Sequence, residues 1–413
     1  MRILYLSQYF FPETGATQIR AYEMAKHWVQ LGHQVTLIAE IPNHPTGIVP
    51  LEYRGKLYQR DLLDGIEVIR VWVKASPRKN FRNRLLFYLS YMLTSTLAGL
   101  SLVNGHYDLI FASSPPLFVG GAALALHYLK RIPMVFEVRD LWPESAVALG
   151  ELNNPMAINL STRLEETCYR VAKKIVVVTD GIRHRLASRG IAADKIALIP
   201  NGADTELFRF NPAVRDKIRS ELGLQDKFVA IFAGMHGIAY DLATLVEAAR
   251  LLREVADISI LLIGEGPKKA ETAALIQQHG LTNISMLPEQ PFILIPSFLS
   301  AADVAVIPLR KLELFKATLP VRMFDAWACN LPVILGVEGE ARELLEKAEG
   351  GLFIPPEDPQ ELAAALMRLR ASPDERQKMG ESGRAFTVQN YSRHSLAGKL
   401  ITELEAMSAS APR

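Results

Sequence analysis

Two charged side chains lie one helical turn apart in the second half of the chain, and their spacing could bind a phosphorylated ligand. The stretch Leu309–Gly336 (LRKLELFKATLPVRMFDAWACNLPVILG) predicts a strand end, a loop, a helix that opens at Pro320 and another buried strand. Arg322 and Asp325 would then lie near a helix N-terminus at the carboxyl edge of a parallel sheet, where phosphorylated ligands bind. The alternative is an ordinary surface ion pair between positions i and i+3.

The elements around this stretch predict an α/β protein with two lobes. Strand-like apolar runs alternate with helical patterns between residues 2 and 179, and again between residues 228 and 355. Each alternation predicts a parallel sheet covered by helices on both faces. A turn-rich break at Asn201–Asp204 separates the two series. The predicted divisions are an N-terminal lobe over residues 1–200, a second lobe over 201–385 and a C-terminal helix over 386–413 that packs back on the first lobe.

Composition separates the two lobes by charge. The 413 residues are 49% hydrophobic and 22% charged, as in soluble globular proteins. Residues 1–200 carry 23 Lys and Arg against 16 Asp and Glu, whereas the remainder carries 23 against 28. A basic first lobe points to an anionic partner. Cys168 and Cys329 lie in helical patterns and predict neither a disulfide nor a metal site, which fits a reducing cytoplasm.

Three loops that follow predicted strands of the first lobe carry polar side chains. Loops at this edge of a parallel sheet are where functional groups lie. The first loop runs into a helix, for which Thr17 could simply be the N-cap. The candidate functional residues of these loops are Glu13, Gly15, Thr17, Arg20, His44, Arg139 and Asp140.

Two glycine-containing loops follow strands of the second lobe. They are Gly234-Met-His236-Gly237 and Gly264-Glu265-Gly266. Glycines between a strand and a helix let backbone N–H groups face a phosphate. Neither loop is a P-loop, because no Gly-Lys-Ser/Thr follows. The second lacks the third glycine and the downstream acid of a dinucleotide site, which argues against an oxidoreductase.

Residues 85–103 form an uncharged run that follows the basic segment Lys74–Arg84. Its 19 residues approach the length of a membrane span, but five Ser and Thr residues favour a buried helix. The basic segment is either a solvated loop or a patch that rests on anionic lipid. The expected location is therefore the cytoplasm, at the inner face of the cell membrane if the patch binds lipid.

Nine motifs in order resemble those of the retaining GT-B-fold glycosyltransferases of family 4. The similarity is greatest to the bacterial group that builds envelope polysaccharides on lipid carriers, and it extends over essentially the whole chain. The motifs are YFFPETGATQIR, LGHQVTLI, EVRDLWPES, IPNGAD, FAGMHG, LIGEGP, AADVAVIPL, LPVRMFDAWACNLPVIL and GGLFIPPED.

The resemblance implies two Rossmann-like lobes facing a deep cleft. It implies a nucleotide-sugar donor on the second lobe, UDP-linked and carrying an N-acetylated hexose, and a lipid-linked or saccharide acceptor on the first. It implies no metal, no further cofactor and no nucleic-acid partner. Arg322 maps to the diphosphate-binding cation, and Asp325 to the acid that holds the ribose hydroxyls. The implied catalytic residues are Arg322, Asp325 and Asp140; the donor residues are Gly234, His236, Gly237, Gly264, Glu265, Gly266, Arg310, Lys316, Arg322, Asp325 and Glu340; the first-lobe candidates listed above become acceptor-side residues.

The sequence departs from the family pattern at three places. Ala317 stands where many members have a second Glu, and Asp325 is one methylene shorter than the usual acid. The Arg and Lys often found after the first glycine loop are absent, with His236 and Tyr240 nearby instead. Two alternatives therefore stay open: a protein that isomerises or hydrolyses a nucleotide sugar without an acceptor, and a non-catalytic binding subunit.

Overall fold

The computed structural model describes residues 1–13, 15–44, 46–78 and 80–409, and it divides into two compact units. The first unit comprises Met1–Pro200 together with His394–Arg413, of which residues 410–413 lie outside the described part. The second unit is Asn201–Arg393. The boundary between the two units, after Pro200, thus coincides with the turn-rich break at Asn201–Asp204.

The first unit contains a sheet of eight strands within the described residues, in the order β3-β4-β2-β1-β5-β6-β7-β8. Apart from the β3–β4 pair, neighbouring strands are parallel. The strands are β1 (Arg2–Leu6), β2 (Gln34–Glu40), β3 (Tyr58–Leu63), β4 (Ile66–Val71), β5 (Leu109–Ser114), β6 (Met134–Val138), β7 (Lys174–Val177) and β8 (Ile196–Leu198).

The edge strand β3 corrects the prediction of an all-parallel sheet. It pairs antiparallel with β4 through a two-residue turn at Asp64 and Gly65, both of which have positive φ. That conformation matches the twist of a tight hairpin. The sequence YQRDLL has no apolar run because every residue of β3 is at least partly exposed, so the strand gives little hydrophobic signal.

Helices cover both faces of the first sheet. One apolar cluster includes Tyr91, Leu126 and Phe136, and the other includes Trp28 and Phe111. The helices are α1 (Ala16–Gln30), α2 (Phe81–Ser101), α3 (Phe118–Lys130), α4 (Glu144–Ala148), α5 (Pro155–Val171) and α6 (Asp180–Ser188).

The second unit contains a six-stranded parallel sheet within the described residues, in the order β11-β10-β9-β12-β13-β14. Its strands are β9 (Phe228–Ala233), β10 (Ile258–Ile263), β11 (Ile284–Leu287), β12 (Val304–Pro308), β13 (Val333–Gly336) and β14 (Gly351–Phe353). Its helices are α7 (Pro212–Leu222), α8 (Leu242–Leu251), α9 (Lys269–Gln278), α10 (Ile295–Ala301), α11 (Val321–Ala328), α12 (Glu340–Ala348), α13 (Pro359–Ala371) and α14 (Pro373–Asn390).

The last helix, α15 (Arg393–Ala409), returns to the first unit, but the predicted boundary at residue 386 is wrong. Phe386 lies in α14, where its ring packs edge-on against Trp327 of the second unit. From His394 onward the chain belongs to the first unit. There the indole N–H of Trp28 donates to the carbonyl of Ala397 at 3.2 Å, and the apolar face of α15 joins the Trp28 cluster.

Candidate functional site

Helix α11 carries the two charged residues singled out in the sequence. Pro320 is its N-cap, so the helix begins at Val321, one residue later than predicted, and it ends at Ala328. Its inner face is buried, with Trp327 donating its indole N–H to the carbonyl of Gly350 at 2.8 Å. The left-handed Asn330 (φ 57) follows the helix, as is common after a helix C-terminus. This packing fixes the side of α11 on which Arg322 and Asp325 lie.

Arg322 is held between two aromatic rings at the carboxyl end of β9. Its guanidinium carbon lies 4.5 Å from the ring centroid of Phe232 and 4.1 Å from that of Tyr240. A Cβ at Gly234 would collide with this guanidinium, so the glycine allows the cation to approach the loop. The Nη1 atom is buried without a hydrogen-bond partner among the described residues. The side chain is therefore positioned but not neutralised.

Asp325 does not pair with Arg322, which rules out the surface ion pair considered above. Its Oδ1 lies 3.6 Å from Nη2 of Arg393, and its side chain is only 14% exposed. Burial raises the pKa of Asp325 from 3.8 to about 6, against the opposing effect of Arg393 and Arg322. Both Arg322 and Asp325 line one cavity under β9 and β12, together with apolar residues such as Ile231 and Leu299.

The two glycine loops touch each other. The backbone N–H of His236 donates to the carbonyl of Glu265 at 2.8 Å, and a Cβ on Gly264 would collide with the carbonyl of Gly234. A Cβ on Gly266 would likewise strike the backbone of His236. The sequence analysis did not predict this contact. The signal that could have predicted it is that the two glycine loops follow β9 and β10, which are neighbouring strands.

His236 is fully buried, and neither ring nitrogen has a hydrogen-bond partner among the residues that the structure describes. Its pKa is lowered chiefly by burial, and further by Lys269 and Arg322. A neutral imidazole beside two cations leaves the positive charge of Arg322 available to an anion. Gly237, in the same loop, is buried and has ordinary contacts.

The remaining donor-side candidates lie in two groups. Glu265 forms an ion pair with Lys269. Arg310 and Lys316 line a second cavity of about 120 Å³, together with Glu338. Lys316 forms ion pairs with Glu313 at 2.8 Å and with Glu338 at 3.7 Å. In the second cavity, Lys316 is therefore already engaged by two carboxylates.

Glu340 lies in the first turn of α12, after the N-cap Gly339. Gly339 has φ 80 and packs against the backbone of Lys316, which would clash with any Cβ there. Ala317 closes the short 3-10 turn Glu313–Ala317 and so lies next to this helix start. The missing second carboxylate would have stood at this position.

In the first unit, Arg20 is a buried cation, and its acceptor-side role stays a prediction. It forms a 2.9 Å ion pair with Glu137 and donates to the carbonyls of Ile199 and Pro200, both at 2.9 Å. Glu137 is fully buried inside β6 and also accepts from the hydroxyl of Ser113. Glu137 was not among the candidate residues of the sequence analysis, so this partner was missed.

Arg139 lies on the other side of the same carboxylate. Its Nε is 3.7 Å from Glu137, and it donates to the carbonyl of Pro115 at 3.0 Å. Burial lowers the pKa of Arg139, although Glu137 opposes the shift. Two cations, Arg20 and Arg139, therefore share one buried carboxylate. Asp140 accepts from the hydroxyl of Ser145 at 2.8 Å, and burial raises its pKa.

Glu13 and His44 lie together, and the carboxylate of Glu13 binds the backbone of the loop that carries His44. One carboxylate oxygen of Glu13 accepts the backbone N–H groups of Asn43 and His44, both at 2.6 Å. Burial raises the pKa of Glu13 to about 7. The nearby Glu40, which the sequence did not single out, is fully buried and bonded to Gln8 and Asn43 at 2.8 Å.

The other residues of the first loop are helix-entry positions. Gly15 and not Thr17 is the N-cap of α1, and Thr17 lies half-buried in its first turn. A Cβ at Gly15 would collide with the side chain of Gln18. The neighbouring Thr14 lies outside the described residues. The first unit thus brings together Glu13 with His44, and Arg20 with Arg139, in two separate clusters.

The basic segment and the uncharged run lie at α2. Lys74, Arg78 and Arg82 are exposed, while Lys79 lies outside the described residues. Across the part of the chain that is described, no helix is both long and apolar enough to span a membrane. The same residues contain no cluster of three or more His, Cys, Asp or Glu side chains suited to a metal ion.

Comparison with known families assigns each half of the chain to a domain type. Residues 15–202 match the glycosyl transferase 4-like domain, and residues 214–386 match glycosyl transferases group 1. Together with the two parallel-sheet units, these matches define a GT-B-fold glycosyltransferase of group 1.

Individual relatives are similar over most of their length. WcaI of Escherichia coli K12, named for colanic acid biosynthesis, is 23% identical over 375 residues, which cover 89% of this chain and 91% of WcaI. An MMP alpha-(1->4)-mannosyltransferase of Mycolicibacterium hassiacum is 23% identical, with 98% of both chains covered.

Solved structures show the same fold at low identity. Sucrose-phosphate synthase of Thermosynechococcus elongatus has a TM-score of 0.77 at 18% identity, covering 99% of this chain and all of that one. HepE of Anabaena, in complex with UDP-glucose, has a TM-score of 0.74 at 17% identity, covering 98% and 100%. These likenesses support the fold prediction.

Proposed function

We propose that this protein transfers a sugar, with retention and without a metal ion, from a nucleotide-diphosphate sugar to a lipid-linked or saccharide acceptor. The donor is UDP-linked and carries an N-acetylated hexose, and the product enters cell-envelope polysaccharide. The reaction takes place in the cytoplasm, at the inner face of the cell membrane. Similarity to WcaI, named for colanic acid biosynthesis, supports this pathway class, and the UDP-glucose complex of HepE supports the donor class.

One observation carries the proposal: Arg322 is fixed between two rings beside Gly234, with a buried nitrogen that no described group satisfies. A guanidinium held in this way is prepared to bind a diphosphate in the bidentate manner. Asp325, in the same cavity, is the acceptor for the ribose hydroxyls. The neutral His236 forms no ion pair with Arg322 and adds no positive charge of its own.

The chemistry needs stabilisation of the leaving group. The acceptor hydroxyl oxygen bonds to the anomeric carbon on the face from which the nucleotide departs, and the bond from that carbon to the phosphate oxygen breaks. The hydroxyl proton passes to an oxygen of the departing diphosphate. Arg322 and the N–H groups of the Gly234–Gly237 loop stabilise the charge that develops there. In the proposed mechanism these groups take the place that a divalent metal has in other transferases.

A non-catalytic subunit that binds a nucleotide sugar is the second candidate. Ala317 favours it, because the position offers no carboxylate to the donor at the start of α12. The two candidates differ in turnover and not in binding, so one set of assays separates them.

The test is sugar transfer by the purified protein from UDP-sugars to a membrane lipid extract. Arg322→Ala should lower kcat/KM about 100-fold or more, since one charge-stabilising donor contributes about that much. Arg253→Ala, at a 63% exposed arginine of the same unit, is the matched control. Full activity in Arg322→Ala would refute the diphosphate role. Binding without turnover would select the subunit, and UDP release at the same rate without acceptor would select a hydrolase.

A further inference from the structure

The outward face of α2 is a row of leucines. Leu86, Leu93, Leu97 and Leu100 are 41%, 61%, 54% and 39% exposed. Their spacings of seven, four and three residues place them on one stripe of the helix. The outward face of a surface helix normally carries charged side chains, but residues 85–103 contain none. We call this row the α2 leucine face.

The opposite face fixes the orientation of the helix. Tyr91 is buried and donates its hydroxyl to the carbonyl of Ile38 at 2.8 Å. A Cβ on Gly99 would collide with Leu126 of α3, so the two helices are packed closely. Because these contacts hold the inner face against the sheet, the leucine face cannot turn inward.

The hydroxyl groups of α2 do not make the leucine face polar. Thr94, Ser95, Thr96 and Ser101 each donate to the carbonyl four residues earlier, at 2.6–2.8 Å. Such bonds satisfy the hydroxyl hydrogens within the helix itself. In the sequence these Ser and Thr residues favoured a buried helix. Because their hydroxyl groups are bonded within the helix, they are also compatible with an apolar environment around its outward face.

Positive charge lies at the N-terminal end of the same helix. Residues 68–107 contain six Lys and Arg and no Asp or Glu. Lys74, Arg78 and Arg82 are exposed there, and Arg84 is engaged by Glu151 at 2.8 Å. A row of leucines next to cations is complementary to a surface that offers hydrocarbon and negative charge side by side.

We propose that the α2 leucine face docks on an anionic lipid bilayer, with its leucines inserted at the acyl boundary and the cations Lys74, Arg78 and Arg82 at the lipid phosphates. A bilayer supplies the apolar layer and the anionic layer together, whereas a protein partner would have to supply a groove and an acidic patch in register. The docking concerns a surface of the first unit alone. It names the surface for the membrane location given in the proposed function and rests on that location, whereas it does not depend on sugar transfer itself.

The test is co-sedimentation of the full-length protein with phosphatidylcholine vesicles, with and without phosphatidylglycerol, in the absence of any donor. Leu93→Ser combined with Leu97→Ser should weaken binding to the anionic vesicles about tenfold or more. Leu57→Ser combined with Leu62→Ser is the matched control, because these leucines are 78% exposed elsewhere in the first unit. The control should bind as the unaltered protein does.

Charge is tested separately. Arg78→Glu combined with Arg82→Glu should weaken binding about fivefold or more for each cation, and added salt should weaken binding of the unaltered protein steeply. Lys173→Glu, at an exposed lysine of the same unit, is the control. All variants change exposed residues, and circular dichroism would show that their fold is retained.

Three results would overturn the docking proposal. One is no binding to anionic vesicles, and another is equal binding by the Leu93/Leu97 double variant. The third is a dimer in analytical ultracentrifugation that the same leucine changes dissociate, since the face would then join two copies of the chain. Sugar transfer to a soluble acceptor is measured without vesicles, so failure of the docking proposal and failure of the proposed sugar transfer can be distinguished.

Discussion

Replacing Asp325 with Asn should stabilise the second unit at neutral and alkaline pH. Burial raises the pKa of this carboxyl from 3.8 to about 6 in the folded state. Each pKa unit corresponds to about 1.4 kcal/mol, so holding the ionised carboxylate in this cavity costs the fold about 3 kcal/mol at pH 8. Asn has no charge to bury, so the variant lacks this unfavourable contribution to the free energy of folding.

The sign of the pH dependence follows from proton binding. Between about pH 4 and pH 6 the folded state keeps a proton that the unfolded state has released, so the stability of the unaltered protein falls as the pH rises through this window. The stability difference between Asp325→Asn and the unaltered protein should therefore grow by about 1.4 kcal/mol from pH 5 to pH 8.

Urea denaturation followed by circular dichroism at several pH values measures this difference. Asp226→Asn, at an exposed aspartate of the same unit, is the control and should show no growth with pH. A difference for Asp325→Asn that stays constant from pH 5 to pH 8 would refute the reasoning, because the pairing with Arg393 would then fully compensate burial. Calorimetry should show that the stabilised variant binds UDP more weakly, since Asn does not offer the ribose a carboxylate.

Three further predictions concern other contacts. Gly264→Ala should abolish UDP binding measured by calorimetry, because the added methyl group would collide with the carbonyl of Gly234. Gly398→Ala, where a methyl group would meet open space, is the control and should bind UDP normally. Unchanged binding in Gly264→Ala would contradict the loop contact. Trp28→Phe should lower the free energy of unfolding of the first unit by about 1–3 kcal/mol, because the hydrogen bond to Ala397 is lost. Proteolysis of α15 should become faster in this variant. An unchanged rate of proteolysis would contradict the anchoring role of Trp28. Ala317→Glu should raise kcat/KM for the UDP-sugar, as it restores a carboxylate beside α12, and a fall in kcat/KM would show that the alanine is required there.

Elements with a strong apolar signal could be predicted closely from the sequence. The strands β9 and β10 have the clearest signal, because five of the six residues in each are buried and a glycine follows directly. β8 is only three residues long and β3 is polar, so neither has a pattern that stands out from a loop. Phe386 was assigned to the terminal helix because helical periodicity continues through the short break between α14 and α15.

Site residues could be predicted where local sequence decides their position. Gly234 and Arg322 follow strands of one parallel sheet, so their proximity at its carboxyl edge was expected. The contact between Asp325 and Arg393 joins residues far apart in the chain and depends on how the end of α14 folds back. The ion pair of Arg20 with Glu137 could not be predicted, because Glu137 is buried in an apolar strand whose pattern gives no reason to expect a carboxylate.

The return of α15 to the first unit has a consequence for the order of folding. Residues 394–409 are synthesised after the entire second unit, yet they complete the apolar cluster around Trp28 and Phe111. During synthesis the first unit must therefore wait, with this apolar groove open to water, while the second unit emerges and can already fold. Only after residues 394–409 have left the ribosome can the first unit complete this apolar cluster.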